Sequence, residues 1–321
     1  MRMTPLRFSL LLVTLLLPSV LLSGCGSDGY TPATEISWVT LPEGHTYMGT
    51  FDDSAVPTYP DELPLHTVYF NAFQMSRTEV TNYQYAQFLN KAIDEGYIFA
   101  TATKIYGAVG DYIGYLYLDL AGSEGTDAEN RSHIVYDGSA DEFVAEEGYE
   151  EWPVTFVTWY GAYAFGRFYY EFYEENITLP TEAEWEYAAH GGEDVTYPTE
   201  DGTISCDLAH YDCTGVDHPV ATKSYDDNPF KIYDLGGNVR EWCWDWYDAD
   251  FYADSAASSP VNLSGTEPEA DASVGDGNTY DTRILRGGSF ASGEATLRAA
   301  ARDQAVPFLT DGHTGFRVVF R

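Results

Sequence analysis

The stretch from residue 205 to residue 321 constrains the fold most, because it is rich in glycine and has few runs long enough for a helix or a strand. We expect such a stretch to form loops rather than a long sheet or a helical bundle. Apolar residues make up 44% of the chain and aromatic residues 16%, which is ample for a core. The sequence therefore predicts one irregular, aromatic-rich domain of the α+β class.

Three helices are predicted ahead of this stretch. Two of them begin with the spacing of a capping box, at Thr81 with Gln84 and at Thr181 with Glu184. In a capping box the side chain of each of the two residues accepts a hydrogen bond from the backbone amide of the other. Another helix is predicted over about 158–173. Strands are predicted at 38–41 and 46–49, and hairpins within 97–150, where the segments 112–117 and 133–138 alternate aromatic and polar residues.

The N-terminus has the pattern of a bacterial export signal. Arg2 and Arg7 precede an apolar run at 8–22, which is shorter than the roughly 20 residues that span a bilayer. The segment L-S-G-C that ends at Cys25 resembles the lipobox of bacterial lipoproteins, in which the cysteine carries the lipid. We therefore expect a signal peptide at 1–24, a lipidated tether at 25–35 and a folded domain at 36–321. The alternative is an ordinary signal peptide with a cysteine nearby by chance.

The lipid would place the protein on a bacterial membrane. Gly26 and Ser27 come directly after Cys25, and neither is the aspartate that commonly retains lipoproteins at the inner membrane. We therefore expect the outer membrane in a two-membrane bacterium. The net charge of −35 repels nucleic acid and anionic lipid headgroups, so no nucleic-acid partner is expected.

The remaining cysteines leave alternatives open. Cys206 and Cys213 lie close together in a polar loop, which suits a small disulfide in an oxidising compartment. Cys243 is another possible partner. A zinc site with His210 and His218 is a further alternative, although the usual paired C-x-x-C spacing is missing.

The segment from Asp234 to Glu241 predicts a cation site. Its two carboxylates are separated by a run that contains two glycines, which allow the backbone to turn its carbonyl oxygens inward. Carboxylate and carbonyl oxygens are the hard ligands that calcium prefers. The alternative is a turn that Asn238 and Glu241 merely stabilise.

Several motifs together resemble the sulfatase-modifying-factor family, also called formylglycine-generating-enzyme-like domains. They occur in the family's order and span residues 36–321: P-E-G and M-G within 42–49, R-T-E-V-T-N at 77–82, W-P-V at 152–154, L-P-T-E-A-E-W-E-Y-A-A at 179–189, Y-D-L-G-G-N-V-R-E-W at 233–242, R-G-G-S-F at 286–290 and G-F-R-V at 315–318. The resemblance implies a single C-type-lectin-like α+β domain, rich in loops and stabilised by calcium.

The resemblance also implies calcium ligands. The first site would use the side chains of Asp234 and Glu241 and the carbonyls of Gly237 and Val239. A second site would use the segment around the possible disulfide: Asp207, Leu208, Asp212 and Thr214.

The catalytic members of the family oxidise a substrate cysteine to formylglycine with two cysteines that bind Cu(I). Here the first corresponds to Ser292 and the second falls at 294–297, and no cysteine follows Ser289. A hydroxyl cannot replace a thiolate as a Cu(I) ligand. We therefore expect neither copper nor oxidase activity by this mechanism.

Five residues remain as candidates to line a groove: Ser289, Ser292, Arg298, Arg302 and His313. For the two arginines, ion pairing with this acidic chain is the favoured interpretation over substrate binding. The sequence thus predicts a lipid-anchored binding or structural module of the cell envelope, with a peptide, a glycan or an envelope protein as partner. The alternative is a formylglycine-generating oxidase or a related protein-modifying oxidoreductase.

Overall fold

Three helices begin directly after a threonine. The computed structural model describes residues 36–50, 59–253 and 281–321, and it forms helices α1 (Asn82–Asp94), α2 (Trp159–Tyr173) and α3 (Glu182–His190). The side chains of Thr81, Thr158 and Thr181 each accept a hydrogen bond from an amide of the first turn. Both predicted capping boxes are present, and the three predicted helices are confirmed. The predicted signal peptide and tether lie outside the described residues.

The strands are short and numerous. Those formed by the described residues are β1 (Trp38–Leu41), β2 (Gly44–Met48), β3 (His66–Phe70), β4 (Phe73–Ser76), β5 (Ile98–Ala100), β6 (Lys104–Gly107), β7 (Leu116–Asp119), β8 (Ile134–Asp137), β9 (Glu142–Ala145), β10 (Ile177–Thr178), β11 (Arg240–Trp246), β12 (Arg283–Arg286), β13 (Asp303–Ala305), β14 (Thr314–Gly315) and β15 (Val319–Phe320). The predicted hairpins appear as β5–β6–β7 and β8–β9. Only the end of the 112–117 segment is a strand, because the chain turns before Leu116.

Two four-stranded sheets organise the domain. One has the order β1-β4-β15-β10, and the other has the order β13-β12-β11-β14. In the second sheet Glu241 of β11 lies opposite Arg286 of antiparallel β12 and opposite Gly315 of parallel β14. Three motifs that are distant in sequence therefore meet at the start of β11.

The core is largely aromatic. Rings of α1 and α2 pack edge to face, as Phe88 does against Phe165 with centroids 5.4 Å apart, a geometry that the ring quadrupoles favour. Arg283 is buried between Trp159 and Trp246, with its guanidinium carbon 3.7 and 3.5 Å from the two ring centroids. No helix among the described residues is long and apolar enough to cross a membrane.

Candidate functional site

The turn after β12 carries two of the predicted groove residues. The amide of Ser289 donates to Oγ of Ser292 (2.9 Å), and the two Oγ atoms lie 3.2 Å apart. Within the described structure, neither hydroxyl bonds to a histidine or a carboxylate, so neither is prepared as a nucleophile by a neighbouring base. This turn holds a hydroxyl pair at the position where the resemblance places a metal-binding thiol.

A column of stacked rings lies next to this turn. Phe290 stacks on His313, with centroids 4.7 Å apart, and more loosely on His210 at 6.1 Å. His210 uses both ring nitrogens internally, one with the carbonyl of His218 and one with the hydroxyl of Thr214, and burial lowers the pKa of its imidazole. His210 is therefore a neutral structural residue, whereas His313 remains partly exposed.

Two residues that the sequence did not predict, Glu124 and Asn130, lie beside His313. Oε2 of Glu124 accepts a hydrogen bond from the amide of Gly312 (3.0 Å) and lies 3.5 Å from Nε2 of His313. The side chain of Asn130 is buried, and its Oδ1 has no hydrogen-bond partner in the described part of the chain. Both residues come from a loop distant in sequence, so no local pattern points to them.

The two candidate arginines are ion-paired rather than open to a ligand. Arg298 bonds both carboxylate oxygens of Glu62, at 2.8 and 2.6 Å. Arg302 bonds both oxygens of Glu182, at 2.8 and 3.0 Å, and also the carbonyl of Asp61. The structure thus agrees with the ion-pairing interpretation for both arginines.

The Asp234 loop is acidic and tightly turned. Asp234 and Asn238 both adopt positive φ, and a Cβ at Gly237 would lie 2.3 Å from the carbonyl oxygen of His210, so only glycine fits there. Asn238 donates to Oε1 of Glu79, whose buried Oε2 has no partner among the residues described. The predicted loop therefore contacts a buried carboxylate that sequence reasoning did not identify.

Negative charge is in excess in this loop. Glu79, Asp234 and Glu241 share one buried guanidinium, that of Arg317. Burial raises the pKa of Asp234 to about 6, with a smaller contribution from Glu241. Burial and then the charge of Asp234 raise the pKa of Glu79 well above its usual range. Such an excess suits a bound cation.

Glu241 is already occupied by other partners. Its carboxylate accepts from Nε and Nη2 of Arg317, at 2.6 and 2.7 Å, and from Nε1 of Trp185 at 2.8 Å. The residues that fit a cation best are Asp234, by its charge, and the backbone of the tight turn. Glu241 could contribute only through lone pairs that it does not use for Arg317 and Trp185.

The second predicted calcium segment is closed by a disulfide between Cys206 and Cys213, whose Cα atoms are 5.7 Å apart. Cys243 is buried as a free thiol. Asp207 and Asp212 are exposed and make no side-chain hydrogen bond or ion pair with other described residues. Across residues 36–50, 59–253 and 281–321, no three histidine, cysteine or acidic side chains are placed together as a metal site.

Comparison with known families identifies the domain. The profile of the sulfatase-modifying factor enzyme 1-like domain (FGE-sulfatase) matches residues 30–321. The chain belongs to the FGE-sulfatase family. The resemblance predicted from the ordered motifs is therefore confirmed.

Proteins that are similar to this chain have different names. The formylglycine-generating enzyme of Thermomonospora curvata is 30% identical over 303 residues, which cover 87% of this chain and 91% of that protein. The serine/threonine-protein kinase pkn1 of Chlamydia pneumoniae is 31% identical over 291 residues, which cover 89% of this chain. The chain spans 38% of the length of that kinase-named relative, little more than a third.

Solved structures agree with the FGE-sulfatase assignment at the level of the fold. PvdO from Pseudomonas aeruginosa has a TM-score of 0.60 at 21% identity and covers 88% of this chain and 94% of its own. CarF has a TM-score of 0.56 at 20% identity and covers 89% of this chain and 98% of its own. The predicted α+β, loop-rich single domain is confirmed by this likeness.

Proposed function

We propose that this FGE-sulfatase domain is a binding or structural module of a bacterial cell envelope rather than a formylglycine-generating oxidase. The observation that carries the proposal is the Ser289–Ser292 pair, which puts hydroxyls where the resemblance places the first Cu(I)-binding thiol. The free thiol among the described residues, Cys243, is fully buried in the core. The site therefore offers no soft ligand for Cu(I).

The partner would bind the surface at His313, which is partly exposed and lies beside the serine turn. A peptide, a glycan or an envelope protein fits this surface, because it combines the partly exposed ring of His313 with the carboxylate of Glu124, and binding sites commonly combine rings with polar groups. Although some relatives are named kinases, this chain spans only part of their length, so we propose no kinase activity.

An oxidase assay tests the first half of the proposal. We expect the purified mature protein, loaded with copper and given a C-x-P-x-R peptide, to form no aldehyde. The formylglycine-generating enzyme of Thermomonospora curvata serves as the positive control. Turnover by the protein itself would overturn the proposal.

A binding assay tests the second half. When envelope extract is passed over the immobilised wild-type protein, we expect a partner to be retained. The immobilised His313→Ala variant should fail to retain that partner. The matched control, His45→Ala, changes a histidine in the unrelated β2–β3 hairpin and should retain the partner. Equal retention by both variants would exclude the His313 surface as the binding site.

We also propose that the chain is anchored by a lipid on Cys25, on the outer membrane of a two-membrane bacterium. Two features of the sequence support this proposal: the pattern of an export signal at the N-terminus, and Gly26 and Ser27 in place of an aspartate after Cys25. Metabolic labelling with a radioactive fatty acid should mark the wild-type protein and not Cys25→Ser. Labelling of Cys25→Ser would contradict the proposed anchor.

Calcium is the cofactor that we propose. The side chain of Asp234 and the carbonyls of Gly237 and Val239 would hold one ion, with Glu241 sharing its oxygens between the ion and Arg317. A second ion would bind the disulfide-closed segment through Asp207, Leu208, Asp212 and Thr214. The negative charge around Glu79 and Asp234 supports the first site.

A further inference from the structure

A short loop, residues 206–213, is closed by a disulfide and is bonded to both segments of the candidate site. On one side, the amide of Asp212 donates to a carbonyl oxygen of the serine turn, at 3.2 Å. On the other side, the carbonyl oxygen of His210 accepts the amide of Asn238 in the Asp234 loop, at 2.8 Å. This disulfide loop therefore links the serine turn to the Asp234 loop.

The disulfide loop is exposed at its ends and buried in its middle. Cys206 and Cys213 are both exposed, whereas Ala209 and Tyr211 are only 4% and 5% exposed. Exposed disulfides are the ones that are readily reduced, because another thiol can approach a sulfur. A thiol in solution can therefore reach the bond, although the residues that the bond holds in place are covered.

Stacked rings connect the disulfide loop to the proposed partner-binding surface. His210 of the loop lies against Phe290, with centroids 6.1 Å apart, and Phe290 lies against His313, with centroids 4.7 Å apart. The amide of Phe290 also donates to the carbonyl oxygen of Asn238, at 2.9 Å. A movement of the loop at His210 would therefore reach His313 through one packed ring.

The disulfide constrains a local segment and not the core of the domain. Ala209 and Tyr211 form a small apolar cluster with Leu297, apart from the two larger clusters that hold Phe88 of α1 and Trp185 of α3. The two cysteines are only 7 positions apart, so their bond restricts a short piece of chain. Reduction should therefore loosen the loop and leave the folded core intact.

We propose that the disulfide loop is a redox switch for the His313 surface. In the oxidised protein the closed loop fixes the serine turn and the ring column, and His313 is held in place. In the reduced protein the loop opens, its bonds to the two segments break more often, and His313 loses its fixed position. Reduction would thus release the partner, a step that rests on the proposed function.

The co-reactant of the switch is a dithiol, either a small molecule or a thiol–disulfide exchange protein. A thiolate of the dithiol attacks one sulfur of the pair, which breaks the S–S bond and forms a mixed disulfide. The displaced cysteine leaves as a thiolate and takes up a proton. The second thiol of the dithiol, as its thiolate, then attacks the mixed disulfide. Cys206 and Cys213 thus end as two thiols, and the dithiol ends as a disulfide.

Amide hydrogen exchange tests the switch. It is measured by NMR on the mature protein before and after treatment with dithiothreitol, at one calcium concentration. Maleimide labelling and mass spectrometry verify that Cys206 and Cys213 are reduced in the folded protein. We expect the amides of Asp212 and Phe290 to exchange at least about tenfold faster after reduction. The ring-proton signals of His313 should shift or broaden.

Three controls separate a local change from a general one. The amide of Leu89, which is buried in α1, should exchange at an unchanged rate. A variant with both Cys206→Ser and Cys213→Ser should match the reduced wild type without dithiothreitol. Cys243→Ala, which removes the buried free thiol, should still respond to dithiothreitol as the wild type does.

The proposal is overturned if dithiothreitol does not reduce the pair in the folded protein. It is also overturned if reduction leaves the amides of Asp212 and Phe290 or the ring signals of His313 unchanged. Equal acceleration at Leu89 would contradict it as well, because the disulfide would then support the whole fold. No partner is present in these measurements, so a failure of the switch is distinct from a failure of partner binding.

Discussion

The guanidinium of Arg298 donates hydrogen bonds to both carboxylate oxygens of Glu62. The two side chains are almost wholly buried, although the residues are 236 positions apart in the sequence. The pair ties the segment after the serine turn to the N-terminal part of the domain. Arg298→Met leaves the Glu62 carboxylate buried without its cation, so we expect it to lower the free energy of unfolding by about 3–5 kcal/mol. Urea denaturation at neutral pH measures this loss.

Two further variants separate charge burial from lost packing. Arg298→Met combined with Glu62→Gln should recover a large part of the loss, because no uncompensated charge remains. Lys104→Ala breaks an exposed ion pair with Asp119 and should cost less than about 1 kcal/mol. A cost for Arg298→Met as small as that for Lys104→Ala would contradict the prediction.

Asp245 should make the domain less stable as the pH rises. Burial is the main reason why the pKa of Asp245 is raised to about 6, whereas an unfolded aspartate titrates near about 3.9. Between these values the native state binds more protons than the unfolded state, so this group's contribution to stability falls with increasing pH. Asp245→Asn removes that titration and retains an oxygen to accept the amide of Glu182.

The measurement is the stability of Asp245→Asn minus that of the wild type, taken by denaturation at several pH values. We expect the difference to move in favour of the variant by about 1–3 kcal/mol between pH ~4 and ~7. Subtracting the wild type cancels the titration of the many other acidic groups. A difference that stays constant with pH would show that Asp245 ionises normally in the folded protein.

Removal of calcium should destabilise the domain. An ion at saturating concentration, about 100 times its Kd, stabilises the folded state by about 2.7 kcal/mol, so EDTA should lower the Tm by several degrees and added Ca²⁺ should restore it. Asp234→Ala should lose most of this response, whereas Asp137→Ala, in the β8–β9 hairpin, should retain it. An unchanged wild-type Tm in EDTA would refute the calcium assignment.

Gly312 should tolerate no side chain. A Cβ there would lie 1.7 Å from Oδ1 of buried Asn130, so Gly312→Ala must displace that side chain from the wall beside His313. We expect a loss of about 1–3 kcal/mol, typical of an overpacked site. Gly293→Ala, near the serine turn, meets no atom within 4 Å and should change stability by less than about 0.5 kcal/mol. Similar effects for both would contradict this close approach.

The structural features that could be predicted are those that depend on residues close together in the sequence. The helices after Thr81 and Thr181 could be located because a capping box is complete within four residues. The ordered motifs gave the family and hence the fold. The first strand was predicted with the bounds that the structure shows, and the second with errors at both ends, because alternation and turn residues act locally.

The partners of the candidate residues could not be predicted in the same way. Glu241 pairs with Arg317 and Trp185, and Asn238 reaches Glu79, across separations that leave no periodic signal in the chain. A cavity beside α2 likewise combines residues of α2 with Trp244 of β11. Such contacts depend on how the sheets pack, and only the general expectation of ion pairing for an acidic chain pointed toward them.

The burial of several arginines affects the long-range electrostatic attraction between this protein and its partners. Arg283, Arg286, Arg298 and Arg317 are at most 2% exposed, although the chain has only 16 lysines and arginines in all. Four of the cations that could have offset its acidic exterior are thus withdrawn from the surface. A partner with a cationic face would be attracted from a distance, whereas an anionic partner would approach faster when salt shortens the screening length to about 8 Å.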